Sequence, residues 1–252
     1  MKVSKESVRL LVSAPSQYAI RLARSPEEIQ AAQALRFQVF NLELNEGLAQ
    51  SYATGLDSDP FDAVCDHLIV EHTASQQIVG TYRLQTGTSA AKNLGYYCAQ
   101  EFHFEVFEPF RREIVELGRA CVHRQHRNLF VLGLLWKGIA GYAGERGCRY
   151  LIGCSSLTSQ EAAAGASAYS ELCRKYLADP AWRTHPLPSH ECALEAVTEE
   201  PTSIPKLLRA YLTIGAKICG PPALDRQFKT IDFLTLLDLQ GMTDAARQRF
   251  LS

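Results

Sequence analysis

Residues 115–128 read VELGRACVHRQHRN. The run opens as an apolar strand, yet it carries Glu116 and Arg119 and then passes into a cluster of His and Arg. In a regular strand, side chains alternate between faces, so two residues three apart point opposite ways. A β-bulge at Gly118 inserts one residue and brings Glu116 and Arg119 onto one face, and glycine is the residue expected at such a kink. A bulge also frees a backbone N–H to aim at a bound carbonyl, which suits a reaction in which an oxyanion develops. A buried Glu–Arg ion pair that only ties loops together would leave the same letters.

The neighbours of this strand set its context. LFVLGLLWKGIAGYAGERG (129–147) is an apolar helix with Gly147 as its C-cap. CRYLIGCSSL (148–157) is a continuous apolar run, the mark of a central buried strand. On the other side, DHLIVEHT (66–73) and QIVGTYRLQT (77–86) form a hairpin through Ala74-Ser75-Gln76, and YYCAQEFHF (96–104) reads as a short helix or turn. Further upstream, Ser25-Pro26-Glu27-Glu28 is a helix start. The helix over 27–44 places Ile29, Ala32, Leu35, Val39 and Leu42 at helical spacing. Residues 43–62 are irregular and end in the turn chemistry of GLDSDPFD. Downstream come a helix over 161–179, a strand at ECALEAV (191–197), a helix over 204–215, a strand over 231–239 and a short C-terminal helix. This order implies a mixed α/β protein with one twisted sheet.

Composition excludes several classes. The 252 residues are 46% hydrophobic and carry a formal net charge of -1, so a general nucleic-acid binder, which would be basic, is not expected. The 8 cysteines are scattered without a C-x-x-C pair, which reads as reduced, mostly buried thiols. The first twenty residues hold a short apolar patch broken by Arg9 and lack the core of a signal peptide. No window approaches the ~20 apolar residues that span a bilayer. These features point to a cytoplasmic protein that can still touch the inner membrane face.

The motifs resemble a known family. LRFQVFNLEL (35–44), DSDPFDAVCDHLIV (57–70), VGTYRLQT (79–86), YYCAQEFHF (96–104), VELGRACVHRQHRN (115–128), LLWKGIAGY (134–142), YLIGCSSL (150–157) and the stretch 204–234 follow in an order similar to the GNAT-superfamily ornithine N-acyltransferases. These use acyl carrier protein, are often labelled hemolysin-like, and are relatives of the acyl-homoserine-lactone synthases. The resemblance implies a GNAT-like α/β fold, one mixed twisted sheet flanked by helices, as a single domain over 1–252 with a C-terminal elaboration from about 185. It implies transfer of a long (3-hydroxy)acyl group from an acyl carrier protein thioester to the α-amine of ornithine. That reaction opens ornithine-lipid synthesis and needs no bound cofactor. Another acceptor amine, or a GNAT-shaped protein that holds the carrier without turnover, remain rival readings. CoA-using members carry a glycine-containing loop where this chain has Arg124-Gln125-His126-Arg127-Asn128-Leu129-Phe130. The departure favours a carrier-protein donor.

Candidate residues follow from the resemblance and the chemistry together. The family's helix Arg and Phe match Arg36 and Phe40, its two loop acids match Asp59 and Asp62, its hairpin Arg matches Arg83, and its E-x-x-R pair matches Glu116 and Arg119. An amino acid's amine is mostly protonated near pH 7, so a base must take a proton; Glu116 is the candidate and Glu101 its rival. Arg36, Arg83 or Arg119 can pair with the acceptor's carboxylate. Asp59 and Asp62 can cap a turn, pair with these arginines or receive a side-chain ammonium. Phe40, Phe102, Trp136 and Leu157 are candidates for the acyl pocket. Arg124, Arg127 and Asn128 precede a helix N-terminus, where free N–H groups suit a pantetheine phosphate. His123-x-x-His126 lacks a third ligand, so no metal is expected. Cys121 in its apolar strand reads as a buried thiol, because direct aminolysis of a thioester needs no covalent intermediate.

Overall fold

The computed structural model describes residues 17–195, 203–243 and 246–248. In chain order, strand β1 (Tyr18–Leu22) leads to helices α1 (Pro26–Phe37) and α2 (Ser51–Thr54), then to the hairpin β2 (Asp66–His72) and β3 (Gln77–Thr86). Helix α3 (Gly87–Lys92), strand β4 (Ile114–Val122), helix α4 (Leu129–Glu145), strand β5 (Tyr150–Leu157) and helix α5 (Ala162–Tyr176) follow. Helix α6 (Lys206–Thr213) precedes β6 (Lys217–Ile218), β7 (Ala223–Asp225) and β8 (Thr230–Asp238). The eight strands make one mixed sheet in the order β1-β2-β3-β4-β5-β8-β6, and β7 lies with β6 along the outer edge of β8. Among these strand pairings, only that of β4 with β5 is parallel.

Alternation along β4 and β5 feeds two cores. Val115 and Leu151 face α4, whose Val131, Leu135, Trp136 and Ile139 pack on Leu68, Val79 and Leu84 of the hairpin. Ile114, Tyr150 and Ile152 face the other way, onto Phe104, Phe107, Leu234 and Leu236. Helix α4 can lie this close because residue 138 is glycine: a Cβ there would meet Ile20 Cδ1 at 2.5 Å.

The β4–β5 pairing starts at Ile114–Tyr150 and stops at Glu116–Ile152, although both strands continue. At the parting point, Gly153 lies so near β4 that a Cβ would sit 2.3 Å from the Leu117 carbonyl oxygen. Beyond it the two strands separate, and the candidate site occupies that gap.

Several expectations change. The first helix is α-helical only to Phe37 and continues as a π-helix over Gln38–Glu43. The wider turn keeps Val39 and Phe40 buried and leaves Leu42 61% exposed, off the apolar stripe assigned to it. Phe102 is 1% exposed inside the second core, with Tyr96 and Cys98, and not in the cleft. Leu157 packs with Leu172 and Phe233, also away from the cleft. Residues 191–195 form no strand beyond a single bridge from Glu191 to Ala223, and 196–197 lie outside the described residues. Residues 246–248 are helical; the rest of the expected C-terminal helix and the apolar patch near Arg9 lie outside the described residues. The eight cysteines are free thiols, buried or half-buried. No helix among the described residues is long and apolar enough to cross a membrane.

Candidate active site

The bulge in β4 is present, one residue beyond the glycine. Arg83 pairs with Gly118 and Thr81 with Cys121, so Tyr82 alone faces both Arg119 and Ala120. Arg119 takes the left-handed conformation, with φ 52°. For a residue with a Cβ this costs roughly 1–2 kcal/mol. Its guanidinium holds it there. Nη2 donates to Asp59 Oδ2 at 2.8 Å and Nε to Asp57 Oδ1 at 3.3 Å, and the group sits 4.8 Å from the Tyr97 ring and 4.2 Å from the Phe228 ring.

Asp57, Asp59 and Asp62 come from the loop before β2, and with Arg36, Arg83 and Arg119 they form a balanced set of three cations and three anions. Asp59 caps the turn by accepting from Phe61 N–H at 2.8 Å, and Asp62 accepts from Asp59 N–H at 3.0 Å. Arg36 is fully buried and forks onto Asp62 at 2.9 and 2.8 Å, with Nε donating to Asp57 at 3.1 Å. Arg83 donates to Asp59 at 2.6 Å and Asp62 at 3.3 Å. Burial pushes the Asp62 carboxyl up, but the Arg36 hydrogen bonds and the Arg36 and Arg83 charges outweigh it and hold Asp62 well below the usual carboxylate range. Arg83 and Arg119 line the cleft; Arg36, expected to bind substrate, does not, and its hydrogen bonds tie the loop of Asp57 and Asp62 to α1.

Glu116 faces the same cleft. It accepts from Gln85 Nε2 at 2.5 Å and from the backbone N–H groups of Tyr97 and Cys98 at 2.9 and 2.8 Å. Tyr97 therefore touches both members of the E-x-x-R pair, which confirms that the bulge turns them to one face. The cleft itself holds about 820 Å³. Phe40, Leu44, Leu129, Leu132 and Leu207 give it apolar walls, and Glu46, Asp225 and Asp232 line it together with Cys154. A smaller pocket of about 60 Å³ continues between the parted strands down to Trp136.

Glu101 lies beside Cys154 and Asp232, the described residues' one trio with ligand atoms within 4.8 Å of one another. Burial, then the charges of Asp232 and Asp225, hold Glu101 well above the usual carboxylate range; burial also raises Asp232.

The helix N-terminus differs from expectation. Asn128 accepts from Phe130 N–H at 3.0 Å and Val131 N–H at 2.9 Å, so the helix's own cap occupies two of the donors a phosphate would use. Arg127 pairs with Glu43 and donates to the Val122 carbonyl, and Arg124 is exposed in the preceding turn. Sequence alone does not single out Asp57, Tyr97 or Asp232. Asp232 carries a signal all the same: like Glu116, it is a carboxylate inside an apolar strand, TIDFLTLLD.

Residues 35–137 match the family described as acetyltransferase (GNAT) domain. An L-ornithine N(alpha)-acyltransferase of Brucella abortus (strain 2308) is 35% identical, covering 89% of this chain and 85% of the relative. One of Rhodobacter capsulatus is 31% identical, covering 94% and 96%. Among solved structures, FeeM, an N-acyl amino acid synthase from uncultured soil microbes, superposes with a TM-score of 0.54 at 13% identity, covering 91% of this chain and 96% of that one. The AHL synthase LasI gives 0.52 at 12%, covering 89% and 91%. At such identities the structures speak for the fold, and the sequence relatives speak for the family. This chain is an acyltransferase with the GNAT fold and belongs to the L-ornithine N(alpha)-acyltransferase family.

Proposed function

We propose that the chain transfers a long (3-hydroxy)acyl group from an acyl carrier protein thioester to the α-amine of ornithine. The observation that carries this reading is the cleft: it crosses the β4 bulge where β4 and β5 part, and both apolar side chains and carboxylates line it. The thioester carbonyl would lie at the bulge, where an unpaired backbone N–H can meet the developing oxyanion. The acyl chain would follow the apolar walls, gaining roughly 0.8 kcal/mol per buried CH₂.

Of the four cations lining the cleft, Arg119 and Arg83 lie beside the bulge and can take the acceptor's carboxylate, while Arg127 and Lys206 line it elsewhere. Glu116 is the proton acceptor in this reading, directly or through water. The neutral amine forms the C–N bond, the C–S bond breaks, and the departing pantetheine thiolate takes up a proton. Glu101, whose burial and acidic neighbours favour the neutral form, is less suited to that role. Arg124, exposed in the turn before α4, and Arg127, which lines the cleft, would meet the acidic surface of a carrier-protein donor.

Steady-state rates with acyl-carrier protein and with acyl-CoA, for the wild type and the double variant Arg124→Glu/Arg127→Glu, test the donor. Carrier-dependent turnover whose donor KM rises at least about tenfold in the variant, with the ornithine KM little changed, is expected. Equal use of acyl-CoA would overturn the donor assignment. Glu116→Gln is expected to lower kcat by roughly a hundredfold or more.

A further inference from the structure

The mechanism above leaves one part of the cleft unused. Asp232 lines it and is 5% exposed; Glu101, 3% exposed and behind the lining, meets Asp232 beside Cys154. Asp225 and Glu46 line the same region. Among the described residues, no lysine or arginine hydrogen-bonds or ion-pairs with any of these four acids. Arg119 ion-pairs with Asp57 and Asp59 instead. Asp232 Oδ1 and Thr230 Oγ1 are both buried without a hydrogen-bond partner, and both residues line the cleft. A buried polar atom left unpaired costs roughly 1–3 kcal/mol, so this corner is built for a ligand that brings donors and positive charge.

We propose that Asp232, backed by Glu101, receives the side-chain ammonium of the acceptor and so selects a diamino acid over an apolar one. This rests on the reaction proposed above. Spacing supports it. Asp232 is on β8 opposite Ser156 of β5, and β5 alone stands between β8 and β4, so two strand spacings, about 10 Å, are the least distance to the bulge, and the parting of β4 from β5 adds to it. Three methylenes and the α-carbon hold ornithine's two nitrogens roughly 6 Å apart at ordinary bond lengths near 1.5 Å. A hydrogen bond of about 3 Å at each nitrogen extends that reach to roughly 12 Å. With the α-amine at the bulge, the distal nitrogen reaches the acids. The ammonium's positive charge would offset the burial and like-charge repulsion that raise both acids.

The test compares acylation of ornithine with that of norvaline, which lacks the distal amine, in the wild type, Asp232→Asn and Glu101→Gln. Sites that bury hydrogen-bonding groups reject analogues lacking the partner strongly, so the wild type should prefer ornithine by at least about a hundredfold in kcat/KM. Each variant should bring that ratio to within about tenfold. Residual norvaline turnover shows that the variant is folded. A ratio unchanged in the variants, or no preference in the wild type, would overturn the inference while leaving the acyl transfer standing. Absence of any acylated product from the wild type would instead remove the reaction itself and the inference with it. EDTA should leave the ratio unchanged; its collapse on chelation would assign the trio to a metal and overturn the ammonium reading.

Discussion

Arg119 holds the strained position in the site, and glycine sits beside it. Local sequence points to a bulge at Gly118 because glycine tolerates unusual backbone angles; the structure puts the left-handed residue at Arg119, where two carboxylates and two aromatic rings offset the strain. Side-chain contacts made by residues far along the chain decide this, and no local pattern displays them. A Cβ at Gly118 would have no heavy atom within 4 Å. Gly118→Ala should therefore fold normally, with urea-unfolding stability within about 1 kcal/mol of wild type, while its methyl group narrows the cleft and lowers turnover. Arg119→Ala should lose more, roughly 1.5–3 kcal/mol, because Asp57 would keep only Arg36 and Asp59 only Arg83 as charged partners. The reverse ranking would return the bulge to Gly118.

At the scale of elements, the loop before β2 is the joint that fixes the cleft's geometry. Asp59 and Asp62 make turn hydrogen bonds and arginine pairs at once, so two readings that compete in the sequence both describe the loop. Asp62 carries a definite pH signature. Its folded pKa lies below the ordinary value of about 3.9. Its contribution is fully present above about pH 5 and is lost as pH falls below about 4 toward the folded value. Asp62→Asn should cost roughly 3 kcal/mol or more at neutral pH, since it strips Arg36 of a buried counter-charge. It should also flatten the loss of stability in acid. An acid limb identical to wild type, measured by urea unfolding from pH 3 to 7, would contradict this role.

Across the whole molecule, the strands that sequence reveals are those with long apolar or alternating runs: β2, β3, β4, β5 and β8. Strands β1, β6 and β7 escape it because five, two and three residues at a sheet margin carry little periodicity. They exist because an exposed edge of β2 or β8 offers them a ladder. The acid corner is hidden for a related reason. Asp232 is two strands away from the bulge in space and more than a hundred residues away in sequence. Its cost should be measurable. Because the folded pKa of Glu101 and Asp232 is raised, the unfolded chain ionises first as pH rises past about 4, and stability should decline until the folded pair also ionises. Asp232→Asn should reduce that decline and raise neutral-pH stability, even as it erodes the preference for ornithine.

The most direct test of the account is mass spectrometry of the products formed when the purified chain meets a 3-hydroxyacyl carrier-protein thioester and a mixture of free amino acids. The account predicts N-acylated ornithine, with the acyl group on the α-nitrogen, and released carrier thiol in equal amount. A different acylated amine as the main product would contradict the acceptor assignment. Carrier binding without any acylated product would contradict the reaction.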